Sequence, residues 1–344
     1  MPPIEISRYH FFRPLCYDEE DMRVLSEMEI RRLVDVEELI AALEEAHIQF
    51  STGRAVMPVR QVVPLPEIGG RITSMPAYLA ADRALGMKVV TYFKDNARFG
   101  LPAILATVQL YSAETGKLIA VLDGTYLTAI RTACASAMAT KALANAETPV
   151  LGILGAGVQA RAHIEALVKV REIKKIKVYS PSGASARKLK EDLESKIQVA
   201  IEPASSAEDT VRDADLIVTV TTAATPILDR QWVKPGAHVN AVGSHRPDLR
   251  ELDAATLKAA KVVVDSREAI MSECGDVLLA IKEGAIDAAH ASVEIGEVLA
   301  EKKSGRSDPS EITIYKSVGI AIQDVAAAQL VYRKALEQKA GVEV

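Results

Sequence analysis

An α/β fold built on a doubly wound parallel sheet is predicted by three observations. Short β-branched runs alternate with helical segments from Pro149 to about Asp265. A glycine turn separates the first run from the helix after it. The part of the chain before residue 146 carries longer extended runs of another character. Alternation of the first kind builds a parallel sheet covered by helices on both faces.

The runs are Val150–Leu154, Ile176–Tyr179, Val199–Ile201, Leu216–Val220, Val239–Val242 and Val262–Val264. The first leads into Gly155-Ala156-Gly157-Val158-Gln159-Ala160 and a helical stretch from Gln159 to Val170. Gly155 permits the sharp strand-to-helix turn, Gly157 lets backbone approach a phosphate, and Ala160 keeps the helix close to the sheet. Strand, glycine turn and helix in that order predict a Rossmann-type dinucleotide site. Ligands of such sheets lie outside the carboxyl ends of the strands, so cofactor contacts are expected at Ser180, Thr221, Val242 and the Gly243-Ser244 pair.

Before the glycine turn, Val36 to Phe50 reads as an amphipathic helix with Leu39, Ile40, Leu43 and Ala46 on one face. Extended pieces follow at Met57–Pro64, Ile72–Tyr78, Met87–Phe93 and Ala103–Tyr111; Glu114-Thr115-Gly116 then turns the chain into Leu118–Asp123, predicting a hairpin. Thr128 to Leu143 is a helix of small residues, and Gly319 to Leu336 is an alanine-rich helix of the sort that returns to pack on the first part of the chain.

With 344 residues, 49% hydrophobic and 25% charged, the chain has material for two domains with proper cores. A net charge of -5 with dispersed Lys and Arg argues against nucleic acid and anionic membranes as partners, leaving small molecules. Cys16, Cys134 and Cys274 are an odd number without metal-ligand spacing, so neither a disulfide framework nor a metal site is expected, and a reducing cytoplasm fits. Met1 to Glu20 has no apolar core of a leader and no apolar span is long enough to cross a bilayer, so neither export nor a membrane span is expected. Within that stretch, Tyr9, His10, Phe11 and Phe12 are read as packing residues, with framing of the substrate entrance as the alternative.

Arg60, Lys88 and Arg131 are cations embedded in apolar runs. A buried charge needs a partner, and a bound carboxylate is one, although snorkelling or a structural ion pair would also serve. Arg131 lies near the expected start of its helix, where oriented N–H groups add to an anion site. At the second strand end, Ser180-Pro181-Ser182-Gly183 offers neutral hydroxyls where an NAD site would carry an acid, and Arg187 and Lys188 follow; this favours NADP(H) over NAD(H). His245 projects from the end of a buried strand toward the crevice and is a candidate for proton exchange. Asp248, Arg250 and Glu251 are read as capping and solvating the next helix.

These residues carry a family resemblance. Met57-Pro58-Val59-Arg60, Met75-Pro76-Ala77-Tyr78, the Thr128–Thr132 run, Ile153 to Ala160, Trp232 to His238 and Lys316-Ser317-Val318-Gly319 resemble the ornithine cyclodeaminase/μ-crystallin family, from about Arg54 to Tyr332. The resemblance implies a dinucleotide domain (146–319) inserted into a second α+β substrate and dimerisation domain made of residues 1–145 and 320–344. It implies a homodimer, pyrophosphate binding at Gly155, Ala156, Gly157, Val158 and Gln159, and Ser317 and Gly319 near the nicotinamide. It also implies that Arg60, Lys88 and Arg131 hold the carboxylate and imine region of an amino-acid-like substrate, with Lys88 and His245 as candidates for the proton. Cyclodeaminases carry a catalytic Asp where this chain has His245, and the Arg246-Pro247-Asp248 run resembles the ketimine-reducing branch instead. The expected activity is NAD(P)H-dependent reduction of a C=N bond beside a carboxylate, as in Δ1-pyrroline-2-carboxylate or Δ1-piperideine-2-carboxylate. The alternatives are an alanine dehydrogenase-like or N-alkyl amino acid dehydrogenase, an ornithine cyclodeaminase, and a non-catalytic NADPH-dependent binding protein.

Overall fold

The computed structural model describes residues 22–344. The reading of the Arg8–Glu20 segment and of Cys16 falls outside the described residues. Two eight-stranded sheets organise the rest.

In the first sheet the hairpin strands Ile104–Tyr111 and Leu118–Asp123 join Ala84–Phe93 and Gly70–Leu79 in an antiparallel run. Alternation sets its faces: Thr73, Met75, Ala77 and Leu79 are buried, as are Ala84, Gly86 and Lys88 on the neighbouring strand. That face is covered by the helices Gly124–Leu143 and Ala321–Gln338. Gly86 is required there, because a Cβ would lie 2.8 Å from the Gln109 carbonyl and 3.2 Å from Val325. The terminal helix thus returns to the first sheet, and the chain end Val342–Glu343 pairs with Arg23–Leu25.

The small-residue helix begins earlier than its alanine pattern suggested. Asp123 accepts the Thr125 N–H at 2.8 Å and caps a helix running from Gly124, which packs tightly on Ala106. Arg131 therefore sits two turns inside the helix, and the helix N-terminus lends it no anion-attracting N–H groups.

All strands of the second sheet are parallel, in the order Ala200–Pro203, Lys175–Tyr179, Val150–Leu154, Leu216–Thr219, His238–Ala241, Thr313–Lys316, Lys261–Val264, Val293–Glu294. The chain reverses direction across the sheet between Val150–Leu154 and Leu216–Thr219, which places the ligand crevice at Gly155 and Thr221. Thr313–Lys316 escaped the sequence reading: four residues ending in lysine carry little periodic signal, and the strand is defined by slotting between two strands that precede it in the chain. Among the described residues no helix is long and apolar enough to cross a membrane. Cys134 and Cys274 are free and buried, and no described cluster of His, Cys, Asp or Glu could hold a metal ion.

Candidate active site

The glycine turn has the geometry a dinucleotide requires. Gly155 adopts φ +110, with its N–H on the Tyr179 carbonyl at 3.0 Å, and a Cβ there would meet the Val220 carbonyl at 2.7 Å. At Gly157 a Cβ would meet nothing within 4 Å, so the glycine leaves space for a ligand rather than for protein. The helix Val158–Val170 has no side-chain cap, leaving its first N–H groups available to an anion. Val158 is 69% exposed at the same end, and the buried Oε1 of Gln159 has no hydrogen-bond partner among the described residues. An uncapped helix start, an exposed valine and an unsatisfied amide together fit a bound dinucleotide.

Beside this turn opens a cleft of about 240 Å³ lying between the two sheets. The antiparallel strands supply Arg71, Thr73, Lys88 and Tyr92, the loop just before the strand Gln61–Leu65 supplies Arg60, and the Gly124–Leu143 helix supplies Arg131. Gln159, Thr221, Val242, His245 and Gly319 close it from the parallel sheet. Four of the lining residues are arginine or lysine, and among the described residues no carboxylate lines the cleft.

Lys88 is 2% exposed and donates to Asp324 Oδ1 at 2.8 Å; Arg131 Nε donates to the same oxygen at 2.8 Å. One carboxylate thus faces two cations, while its buried Oδ2 has no partner among the described residues. Burial above all, and then Arg131, push the Lys88 ammonium down to about 7, against the pull of Asp324. Arg131 also donates to Gln323, whose amide meets buried His47 at 3.1 Å. Arg60 is held by Glu273 at 2.8 Å and by the carbonyls of Val318 and Gly319. Gly319, at φ +74, lies so close to Arg131 that a Cβ would sit 2.8 Å from its guanidinium.

Other expected residues do not line the cleft. Ser317 is buried and turned to Asp265, donating to it at 2.8 Å; the same carboxylate takes the Val318 and Gly319 N–H groups and fixes that turn. Ser180 is 7% exposed, with its Oγ accepting the Ala186 N–H at 3.2 Å, so its hydroxyl serves the next helix. Ser182 and Arg187 are exposed around Gly183, with the Arg187 guanidinium about 3.0 Å from where a Gly183 Cβ would be.

His245 Nδ1 lies 3.0 Å from the Gly243 carbonyl and Nε2 lies 3.2 Å from Arg71 Nη2. Burial, reinforced by Arg71 and Arg60, lowers its imidazole to about 4, so it is neutral at neutral pH. Glu251 is not a solvated helix cap: it is fully buried and accepts from Thr219, Thr221 and the Gly243 N–H, tying two strand ends together. Asp253 caps the following helix instead. The sequence reading missed Arg71, Glu251, Asp265 and Asp324; no local motif marks them, because each acts on residues distant in the chain or across a strand pair.

A dinucleotide-type turn opening onto a cationic cleft defines a nucleotide-dependent protein that handles a small organic anion. The chain belongs to the ornithine cyclodeaminase/mu-crystallin family, whose model matches residues 19–339. It is 42% identical over 297 residues to the ketimine reductase mu-crystallin of Mus musculus, covering 86% of this chain and 91% of that one. It also matches the structure of Thermococcus litoralis Δ1-pyrroline-2-carboxylate reductase in complex with NADH and L-proline, at 39% identity and TM-score 0.90 over 94% of this chain and 100% of that one. An archaeal alanine dehydrogenase dimer with bound NAD is similar at 36% identity and TM-score 0.88, covering 94% and 99% of the two chains.

Proposed function

We propose that this protein is an NAD(P)H-dependent reductase of a C=N bond next to a carboxylate, acting on a cyclic ketimine such as Δ1-pyrroline-2-carboxylate or Δ1-piperideine-2-carboxylate and yielding an L-amino acid. The observation that carries this reading is the excess of buried cations, Lys88 and Arg131 on the single carboxylate of Asp324, facing a dinucleotide turn. Such a site attracts an anion and holds it beside the cofactor.

Bound nicotinamide supplies the hydride. Arg131 and Arg60 take the substrate carboxylate and fix the imine carbon in the cleft, so that orientation supplies much of the rate. Lys88 Nζ keeps the imine nitrogen protonated, which makes the carbon the better hydride acceptor; the hydride goes to carbon and the proton remains on nitrogen. A lysine near 7 holds and releases a proton at working pH. His245 is neutral, and with Nδ1 donating to a carbonyl its Nε2 has no proton to give, so the donor role falls to Lys88.

Ser182 and Arg187 would take the 2′-phosphate of NADP(H), the preferred cofactor in this reading, with NAD(H) usable. The division of the chain into residues 146–319 and residues 1–145 with 320–344 is part of the same proposal, supported by the two sheets. So is a homodimer: the cross-strand neighbours Val63 and Ile72 are 54% and 37% exposed on the antiparallel sheet, and one related structure is a dimer. The test is oxidation of NADPH and NADH with both cyclic imines, and with pyruvate plus ammonia or methylamine, in parallel. Rapid turnover of a cyclic imine is expected. Silence with all of them, with ammonia released from ornithine, would replace reduction by cyclodeamination.

A further inference from the structure

Lys88, Val90 and Tyr92 stand opposite Met75, Thr73 and Arg71 on the neighbouring strand, all on the face that floors the cleft. Arg71 and Met75 are four residues apart, so Arg71 lies about 13 Å along the strand from the Lys88 level, measured between Cα atoms. Thr73 and Val90 fill the floor between. The strand floor of the cleft therefore has a cationic end at Lys88, a neutral stretch at Thr73 and Val90, and a second cationic end at Arg71; Arg60 also lines the cleft, from outside this strand pair and already paired with Glu273.

Arg71 is positioned rather than loose. Its guanidinium lies 4.9 Å from the Tyr92 ring centroid, and Nη2 donates to His245 Nε2 at 3.2 Å. His245 can accept because its Nδ1 donates to the Gly243 carbonyl at 3.0 Å, which leaves Nε2 bare. Among the described residues no ion pair joins Arg71 to a carboxylate; nearby Asp248 is taken by Arg246 at 2.6 Å. A half-buried guanidinium that is stacked, steered by a neutral acceptor, in no direct ion pair among the described residues and only distantly compensated by Asp248 suits a planar anion.

We infer that Arg71, steered by His245, selects an imino acid bearing a second carboxylate on its side chain or ring, an inference that rests on the reductase reading above. The α-carboxylate and imine occupy the Lys88 end, and the distal carboxylate reaches across Thr73 and Val90 to the Arg71 fork. Arg71 is a specificity residue; it holds no reacting atom.

The experiment compares reductive amination of 2-oxoglutarate with that of 2-oxovalerate, using methylamine, in wild type, Arg71→Leu, Arg71→Lys and His245→Leu. Wild type is expected to favour the dicarboxylate by about 10²-fold in kcat/KM, since a site built to pair a charge rejects the analogue lacking it. In Arg71→Leu the two acids should come within about threefold of each other, and Arg71→Lys and His245→Leu should fall between, the first keeping charge without the fork and the second losing the steering. Equal use of both acids by wild type, or an undiminished preference in Arg71→Leu, overturns the inference. So does a weakened NADPH Kd in Arg71→Leu with the preference intact, which would assign Arg71 to the cofactor. Calorimetric binding of N-methyl-L-glutamate and N-methyl-L-norvaline to the NADP⁺-loaded protein separates the two claims. Arg71-dependent selective binding without turnover keeps this inference and sinks the reductase reading, whereas turnover without Arg71-dependent selectivity does the reverse.

Discussion

Lys88 and Lys316 are both buried and both meet an aspartate, at 2.8 and 3.0 Å. Their surroundings drive them in opposite directions. Burial opposes the charge on Lys316, yet Asp276, Cys274 and Glu251 outweigh it and hold its ammonium above the ordinary lysine range. At Lys88, burial acts with Arg131, and Asp324 alone cannot offset them. The difference is one of charge balance. Lys316 is enclosed by its own anions and ties the strand ends of the parallel sheet, through Asp276 to the backbone of Glu251 and through the Ala241 carbonyl. Lys88 shares its anion with a second cation at the edge of a cleft, and in the proposed function an outside anion completes its network.

Removing each lysine breaks the comparison most directly. Lys316→Met leaves Asp276 and Glu251 buried without their cation, and should cost about 3–5 kcal/mol, read as a lower denaturant midpoint or loss of soluble protein. Lys88→Met leaves Asp324 still paired with Arg131, so no carboxylate is stranded. The folded state should keep its stability within about 1 kcal/mol, while kcat/KM for a cyclic imine falls by at least about 10²-fold. If Lys88→Met unfolds the protein as Lys316→Met does, the two networks are both structural and the contrast fails.

The pH profile sharpens the same contrast. The donor must be protonated, and the free-protein lysine titrates near 7, so kcat/KM should hold below that value and fall about tenfold for each pH unit above it. Asp324→Asn removes the one group that supports the charge on Lys88, so the inflection should move to lower pH, with a smaller maximum. A profile flat from pH 6 to 9 in the wild type would take the proton away from Lys88.

The two halves of the site were unequally legible in the sequence. Gly155, Gly157 and the helix after them act through local backbone, so strand, turn and helix could be read within one short run. Arg60, Lys88 and Arg131 stood out as cations in apolar surroundings, but the anions that set their charge balance did not. Asp324 sits in an alanine-rich terminal helix 193 residues from Arg131, and nothing in its neighbourhood marks it until that helix packs across the first sheet. Glu251 resembled a surface acid because its run is rich in charge; only the approach of Thr219 and Gly243 reveals it as a buried brace. Arg71 was passed over because its strand neighbours are polar and glycine-rich, and its importance comes from the cross-strand register that puts Tyr92 beside it. Helix limits were blurred for a related reason: the Asp123 cap lies at the end of a strand and reads as part of it.

The turn after Lys175–Tyr179 supplies the smallest expected effect, and its exposure is the reason. Ser180 is buried and its Oγ accepts the Ala186 N–H, so the proposal gives the 2′-phosphate of NADPH to Ser182 and to Arg187, whose guanidinium lies by Gly183. Solvent screens a charge there far more than at Lys88, so a contact is worth about 1 kcal/mol rather than several. Arg187→Ala should therefore lower the NADPH-to-NADH ratio of kcat/KM by roughly fivefold to tenfold, without changing the imine KM. The drop should shrink as salt is raised, in contrast to the buried Lys88 network, whose effect should persist. A ratio that stays unchanged at low salt would remove Arg187 from the cofactor site and leave the choice between NADPH and NADH to other groups.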